Sequence, residues 1–381
     1  MGFFAILSAL SLAGWLYLTF AHGKFWQPLF APPANDPAAW PSVDIIVPAR
    51  DEAASLPRSL PSLLEQDYKG AWRIILVDDH SSDGTGDVAR KLAAAAGQSE
   101  RLTVIAAPDL KEGWSGKVAA MDSGVAQSRA DFILFADADI RHAPRSLTGL
   151  VAGAEARKLD LASRMVTLHC ASLAEKFLIP AFVFFFAMLY PFARANDPDS
   201  GVAAAAGGAM LVRRTALDNI GGLARIKSKL IDDCALARVI KDSGGGRETP
   251  GRIELALIRE IESLRVYPAF GDVRRMIART AFTQLCHSPL YLAGTLLGMG
   301  LMFLLPMSMA MFGSSAAAWI GATAWFVMGI LYMPMVIFYR LSPLWAFTLP
   351  AAALFYMGAT IDSARLYWQG KGGQWKGRSQ A

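Results

Sequence analysis

The sequence predicts an α/β nucleotide-binding domain with transmembrane helices at both ends. Three observations carry this. Short β-branched runs alternate with helical stretches between Val43 and roughly Ala224. An uncharged apolar run, long enough to cross a bilayer as a helix, precedes that region. From Ser288 onward the chain is apolar almost to its end.

Composition agrees with a chain that sits partly in lipid. Hydrophobic residues make up 54% and charged residues 18% of its 381 positions, and the mean hydropathy is +0.32. The net charge of +5 is spread without a basic stripe interleaved with aromatics, so nucleic acid is excluded as a partner and anionic lipid headgroups are the expected one. Cys170, Cys234 and Cys286 are far apart and lack C-x-x-C spacing, which excludes a zinc site and a disulfide framework.

Taken in order, Phe3 to Ala21 carries no charge, and the first cation, Lys24, follows it. This pattern predicts an uncleaved anchor over residues 1–22, with the following domain on the cytoplasmic side of the inner membrane. Residues 23–42 read as a Pro-rich linker. The domain, residues 43–285, opens with strands at Val43–Val47, Arg73–Val77, Leu102–Ala106 and Asp131–Phe135, expected to form a parallel sheet. Helices are expected at Ser55–Gln66, Gly84–Ala96 and Lys117–Ser128. The apolar run Phe177–Phe192 contains Pro180 and Pro191 and is short for a span, so it reads as an interfacial segment dipping into the bilayer, with a buried core helix as the alternative. Membrane segments fill residues 286–362. Pro289–Pro306 and Ser315–Phe338 form a spanning hairpin, and Leu344–Thr360 reads as re-entrant. That arrangement keeps the basic tail, residues 363–381 with Arg365, Lys371, Lys376 and Arg378, on the side of the domain.

In open α/β sheets ligands bind at the carboxyl ends of strands, so the residues there are the candidates. The first strand runs into Ala49-Arg50-Asp51-Glu52, the second into Asp78-Asp79, and the fourth into Asp137-Ala138-Asp139. Carboxylates at such ends accept hydrogen bonds from a nucleobase or ribose, although a lone Asp there is more often a cap or turn former. Residues two apart on a strand project to one face, so Asp137 and Asp139 can both point at one ligand, and a pair of hard oxygens suits Mg²⁺ or Mn²⁺. Lys117, behind Gly113 and Gly116, opens a helix where a phosphate can approach; the alternative is a solvated loop lysine. Gly84 to Ala89 match a G-x-G-x-x-A dinucleotide fingerprint, but three carboxylates intervene after the strand, which excludes a nicotinamide site. Asp232 and Asp233 open a further helix, either as caps or as the base that takes a proton from an acceptor hydroxyl.

The ordered set PARDE, VDDHSSDGT, GWSGK, ADAD, GGAML and DDCALA resembles the family 2 inverting glycosyltransferases of GT-A, Rossmann-like fold. More narrowly the chain is similar to hopene-associated glycosyltransferases, relatives of the ceramide glucosyltransferases. The resemblance extends through SLRVYPAF and RMIARTAFTQL to the closing WKGR. It implies that Ala49, Glu52 and Asp79 hold the base and ribose of a nucleotide-diphospho-sugar, a UDP-sugar by preference, with Lys117 nearby. Asp137 would hold ribose and metal, Asp139 the metal, and Asp233 would be the base. Gly208 and Arg279 would contact acceptor or phosphate. The usual Glu-Asp is here Asp232-Asp233, which leaves the acceptor contact of Asp232 open. The Q-x-x-R-W motif of processive synthases falls on Met276 to Thr280 and keeps only Arg279, implying transfer of a single sugar to a membrane lipid such as a hopanoid or other terpenoid. Two rivals remain: a polyprenyl-phosphate sugar synthase, with Arg213, Arg214 and Arg279 as extra cations, and a non-catalytic nucleotide-sugar-binding membrane protein.

Overall fold

The structure, a computed structural model, describes residues 2–244, 249–372, 374–375 and 378–379. Lys376 of the expected basic tail lies outside the described residues. The chain opens with α1 (Phe3–Phe20), whose lower end is tied to the domain by Arg194, which donates to the Ala21 carbonyl at 2.7 Å. After the linker come β1 (Val43–Ala49), α2 (Leu56–Leu64), β2 (Trp72–Asp78), α3 (Thr85–Ala95), β3 (Leu102–Ala106), α4 (Gly116–Gln127) and β4 (Phe132–Ala136). These strands and helices fall where the hydrophobic pattern places them. Ile45, Ile46, Ile74, Ile75 and Ile133 are fully buried, as expected for parallel strands covered on both faces.

The second half of the domain holds β5 (Ile140–His142), α5 (Ser146–Arg157), β6 (Leu161–Thr167), α6 (Leu173–Leu189), α7 (Phe192–Asn196), β7 (Ala209–Arg213), α8 (Arg214–Asn219), α9 (Asp232–Ser243) and β8 (Ile253–Ser263). The sheet has eight strands in the order β3-β2-β1-β4-β7-β6-β8-β5. It is mixed rather than parallel: β7 runs antiparallel to both β4 and β6, and β5 antiparallel to β8. The long excursion through α6 and α7 returns the chain against the direction of β4, pairing Ala209 with Ala136. This reversal sets the glycines before β7 beside the acidic turn after β4.

The apolar run at 177–192 is the buried alternative. It forms most of α6, with Leu178, Ile179, Val183 and Phe184 buried, Pro180 inside the helix and Pro191 following its end. Ser172 and Glu175 form a capping box at its start, worth about 1 kcal/mol.

Beyond the sheet lie α10 (Phe270–Ala278), α11 (Ala281–Gln284), α12 (Pro289–Met299), a π-helical turn (Gly300–Leu304), α13 (Leu305–Phe312), α14 (Ser315–Phe338), a 3₁₀ turn (Pro343–Thr348) and α15 (Leu349–Trp368). Among the described residues four helical stretches are long and apolar enough to cross a membrane: Phe3–Phe20, Pro289–Phe312, Ser315–Phe338 and Pro343–Trp368. The first arm of the expected hairpin therefore continues past Pro306, which sits early in α13 where its missing N–H is harmless. The π turn frees the Met302 carbonyl, which accepts from Trp15 Nε1 at 2.7 Å and joins α1 to the bundle.

The last segment is longer than Leu344–Thr360, since α15 continues to Trp368. Its turn and its far end lie at different depths. Phe347 packs against Trp325 and Phe326 near the middle of α14. Asp362 pairs with Arg274 on α10, and Tyr367 and Trp368 pack on Phe282, back on the side of the sheet. The end of α14 is on that side too, where Arg259 donates to the Phe338 carbonyl at 2.9 Å.

Candidate active site

The sheet places its acidic strand ends at the edge of two adjoining cavities. The first, about 470 Å³, is charged: Glu52, Asp137, Asp139, Asp232 and Asp272 face Lys117, Lys229, Arg265, Arg275 and Arg279. The second, about 450 Å³, is an apolar chamber walled by Phe182, Phe185, Phe186, Leu285 and Met299, with Asp233 at its inner end. Lys117, Asp137, Leu230, Asp232 and Arg279 line both.

Lys117 stands at the junction. Its Nζ lies 2.9 Å from Asp137 and 3.5 Å from Asp232. Burial works against its charge, yet Asp137 and Asp232 more than offset this, and its pKa ends above the ordinary lysine value. Ser115 caps α4 by accepting from Val118 N–H, which fixes the start of the helix that carries Lys117.

Asp233 does not serve as a cap. Ile231 occupies the cap position of α9, while the Asp233 carboxylate accepts from Gly207 N–H at 2.9 Å and Cys234 N–H at 2.7 Å. Its pKa is pushed up to about 6, first by burial and then by Asp232 beside it. Asp232 is itself buried, and its Oδ2 faces Lys117 with no hydrogen-bond partner among the described residues.

Asp137 and Asp139 sit in the turn between β4 and β5, not on a continuing strand, so the turn and not strand alternation brings both to the charged cavity. Burial, then Asp137 and Glu52, push the Asp139 carboxyl up to about 6. That crowding of negative groups suits a divalent cation, and two carboxylates with diphosphate oxygens make a typical Mg²⁺ set. Among the described residues no group of three His, Cys, Asp or Glu side chains is arranged to hold a metal alone.

Several expected residues stand elsewhere. Ala49 is fully buried and its carbonyl is taken by Asp79 N–H at 2.8 Å, so Pro48 and Glu52 line the cavity in its place. Asp79 is buried beside Arg50 and His80 and does not line the cavity. Gly208 packs on Val166, where a Cβ would come within 2.9 Å, and it is Gly207 that borders the chamber. Arg213 and Arg214 bind Glu155 and Asp218, remote from either cavity. Arg279 lines both, as expected.

Sequence reasoning missed Lys229, Arg265, Tyr267 and Arg275. The cluster of arginines at 265, 274, 275 and 279 was the available signal. Glu175 fixes the loop that carries two of the missed residues. Burial opposes its charge, but hydrogen bonds from Tyr267, Ser172, His169 and Ala171 overcome this and hold its pKa down to about 2.

Residues 44–221 match the family described as "Glycosyl transferase family 2". The dodecaprenyl-phosphate galacturonate synthase of Rhizobium johnstonii is 31% identical over 133 residues, 33% of this chain and 36% of that protein. The 4,4'-diaponeurosporenoate glycosyltransferase of Staphylococcus haemolyticus is 31% identical over 99 residues, 26% of this chain and 24% of that protein. The matches thus span about a third or less of these curated relatives. A mannosyltransferase from Pyrobaculum calidifontis, solved in complex with GDP-Man and Mn²⁺, aligns over 92% of this chain and 98% of its own at a TM-score of 0.57 and 20% identity. The fold is the GT-A nucleotide-sugar transferase fold, with apolar helices before and after the sheet.

Proposed function

Starting from a family 2 glycosyltransferase domain of GT-A fold, we propose that this chain moves one sugar from a nucleotide-diphospho-sugar to a hydroxyl of a membrane lipid, with inversion. The observation that carries this is the position of Asp233, a carboxylate with a raised pKa that lines the apolar chamber next to Asp232, which lines both cavities. The donor's diphosphate occupies the charged cavity beside Arg265, Arg275 and Arg279. The lipid's head enters the chamber and reaches Asp233.

Asp233 then takes the hydroxyl proton as the oxygen attacks the anomeric carbon from the face opposite the diphosphate, and the bond from that carbon to the leaving phosphate oxygen breaks. Gly207 N–H holds the carboxylate in place for this. Lys117 lies between Asp137 and Asp232, 2.9 Å from the first and 3.5 Å from the second, and bridges them. A divalent cation, as bound by the mannosyltransferase, would be held by Asp139 and Asp137 and supplies stabilisation of the departing charge. The hopanoid or terpenoid acceptor and the UDP-sugar preference implied by resemblance belong to this proposal.

The domain would face the cytoplasm of the inner membrane. The return of α15 to the sheet side supports a re-entrant last segment with the tail on that side; a reporter after Ala381 that reads as external would reject it.

A second reading, transfer to a polyprenyl phosphate, is favoured by the galacturonate synthase and by the cations at the junction. Asp233→Asn separates the two. With a hydroxyl acceptor kcat falls by about 10²- to 10⁴-fold while donor affinity holds, and the wild-type rate rises with pH through about 6 as the base ionises against Asp232 and Lys117. A phosphate acceptor arrives ionised and needs no base, so near-normal turnover of the variant would reject the hydroxyl reading.

A further inference from the structure

We infer that Tyr190 and Gln284 form an acceptor-recognition pair, and that the acceptor is a lipid bearing a second oxygen close to the hydroxyl that receives the sugar. This rests on the transferase reading above.

Tyr190 caps the C-terminus of α6, where Pro191 stops the helix, and Gln284 is the last residue of α11. The two are remote in sequence, yet Gln284 Nε2 donates to the Tyr190 hydroxyl oxygen at 2.5 Å, and both side chains line the apolar chamber that contains Asp233. A phenol that accepts from an amide keeps its own O–H to donate, and the amide keeps its Oε1 to accept. Neither has a partner among the described residues. Deeper in the chamber the Tyr356 and Thr360 hydroxyls are already committed to the carbonyls of Leu178 and Tyr356.

The pair therefore offers one donor and one acceptor side by side, which matches a hydroxyl, a group that both gives and takes a hydrogen bond. It is not the reacting hydroxyl. That oxygen gives its only proton to Asp233 and so has none left to donate to Gln284 Oε1. An oxygen of its own is required. In a pocket that is mostly apolar, a few placed polar groups set the orientation of the ligand. An acceptor lacking that oxygen would leave both groups unpaired in the filled chamber, which is how a site built for a hydroxyl rejects its absence.

The test uses the purified full-length chain in detergent with three probes: 1-dodecanol, 1,2-dodecanediol and a membrane lipid extract. The diol should exceed the monool in kcat/KM by about 10- to 100-fold, less than for fully buried sites because both residues are only half-buried. Tyr190→Phe and Gln284→Leu should each bring that ratio toward one, which a merely structural role would not do. Equal use of both alcohols by the wild type, or variants that keep the preference, would overturn the pair. Glycosylation of the extract with neither alcohol accepted would also overturn it, whereas no transfer even to the extract would count against the transferase reading itself.

Discussion

The charged cavity and the apolar chamber share five residues and little else. One is lined by strand-end carboxylates and by cations from α10 and the loop before it, the other by aromatic and aliphatic side chains of α6, α11, α12 and α15. In the proposed reaction the difference separates the tasks: a polyanionic donor and an apolar acceptor would each find a cavity of their own polarity. Lys117, Asp137, Asp232 and Arg279 sit where the cavities touch. Selective damage to each side is the way to break or sharpen this division.

After loss of the base at Asp233, the largest effect is expected from the seam. Lys117→Ala leaves Asp137 and Asp232 without their shared cation, and breaking a buried pair costs about 3 to 5 kcal/mol. That cost falls on stability, at the lower end because Lys117 keeps some exposure; with both cavities losing this residue, kcat/KM should fall by about 10²- to 10³-fold with donor and acceptor kinetics both affected. A fall confined to donor affinity would mean that the two cavities do not share this residue functionally.

Damage to the charged side comes next. Asp139→Asn should weaken donor binding measured by calorimetry with Mn²⁺ by about 10²-fold, and excess chelator should do the same to the wild type. Acceptor KM should not follow, and turnover undiminished in chelator would remove the metal from the mechanism.

The smallest effect belongs to the chamber wall. Met299→Trp fills space between α12 and α15 and should raise the KM for a lipid acceptor by about tenfold, while donor binding stays at the wild-type value. A matching change in donor binding would dissolve the distinction between the cavities.

The same contrast explains what could be read from sequence. Lys117, Asp137, Asp139, Asp232 and Asp233 stand out in the sequence because each lies at an element boundary, and the structure brings all five to the lining of the two cavities. The parallel strands were legible because burial on both faces leaves continuous apolar runs. Sequence spacing did not show the antiparallel β7, whose pairing sets Gly207 at the chamber and Gly208 against Val166. Asp79 shows another limit: a strand-end carboxylate that lies beside Arg50 has the same sequence signature as one that faces open solvent. The chamber left almost no trace. Phe182, Phe185 and Met299 look like any apolar residue of a membrane-associated helix, and Tyr190 meets Gln284 only after the helices have packed.

Four of the chamber's residues, Thr295, Met299, Tyr356 and Thr360, belong to helical stretches apolar enough to lie in a bilayer. If the proposed lipid acceptor arrives there, it is counted per lipid, not per litre. The rate then follows the acceptor's mole fraction in the surrounding film, and diluting the suspension at fixed lipid composition leaves it unchanged, while adding inert lipid slows it. The donor, dissolved in water, obeys ordinary bulk concentration, so the two substrates of one reaction are metered in different dimensions.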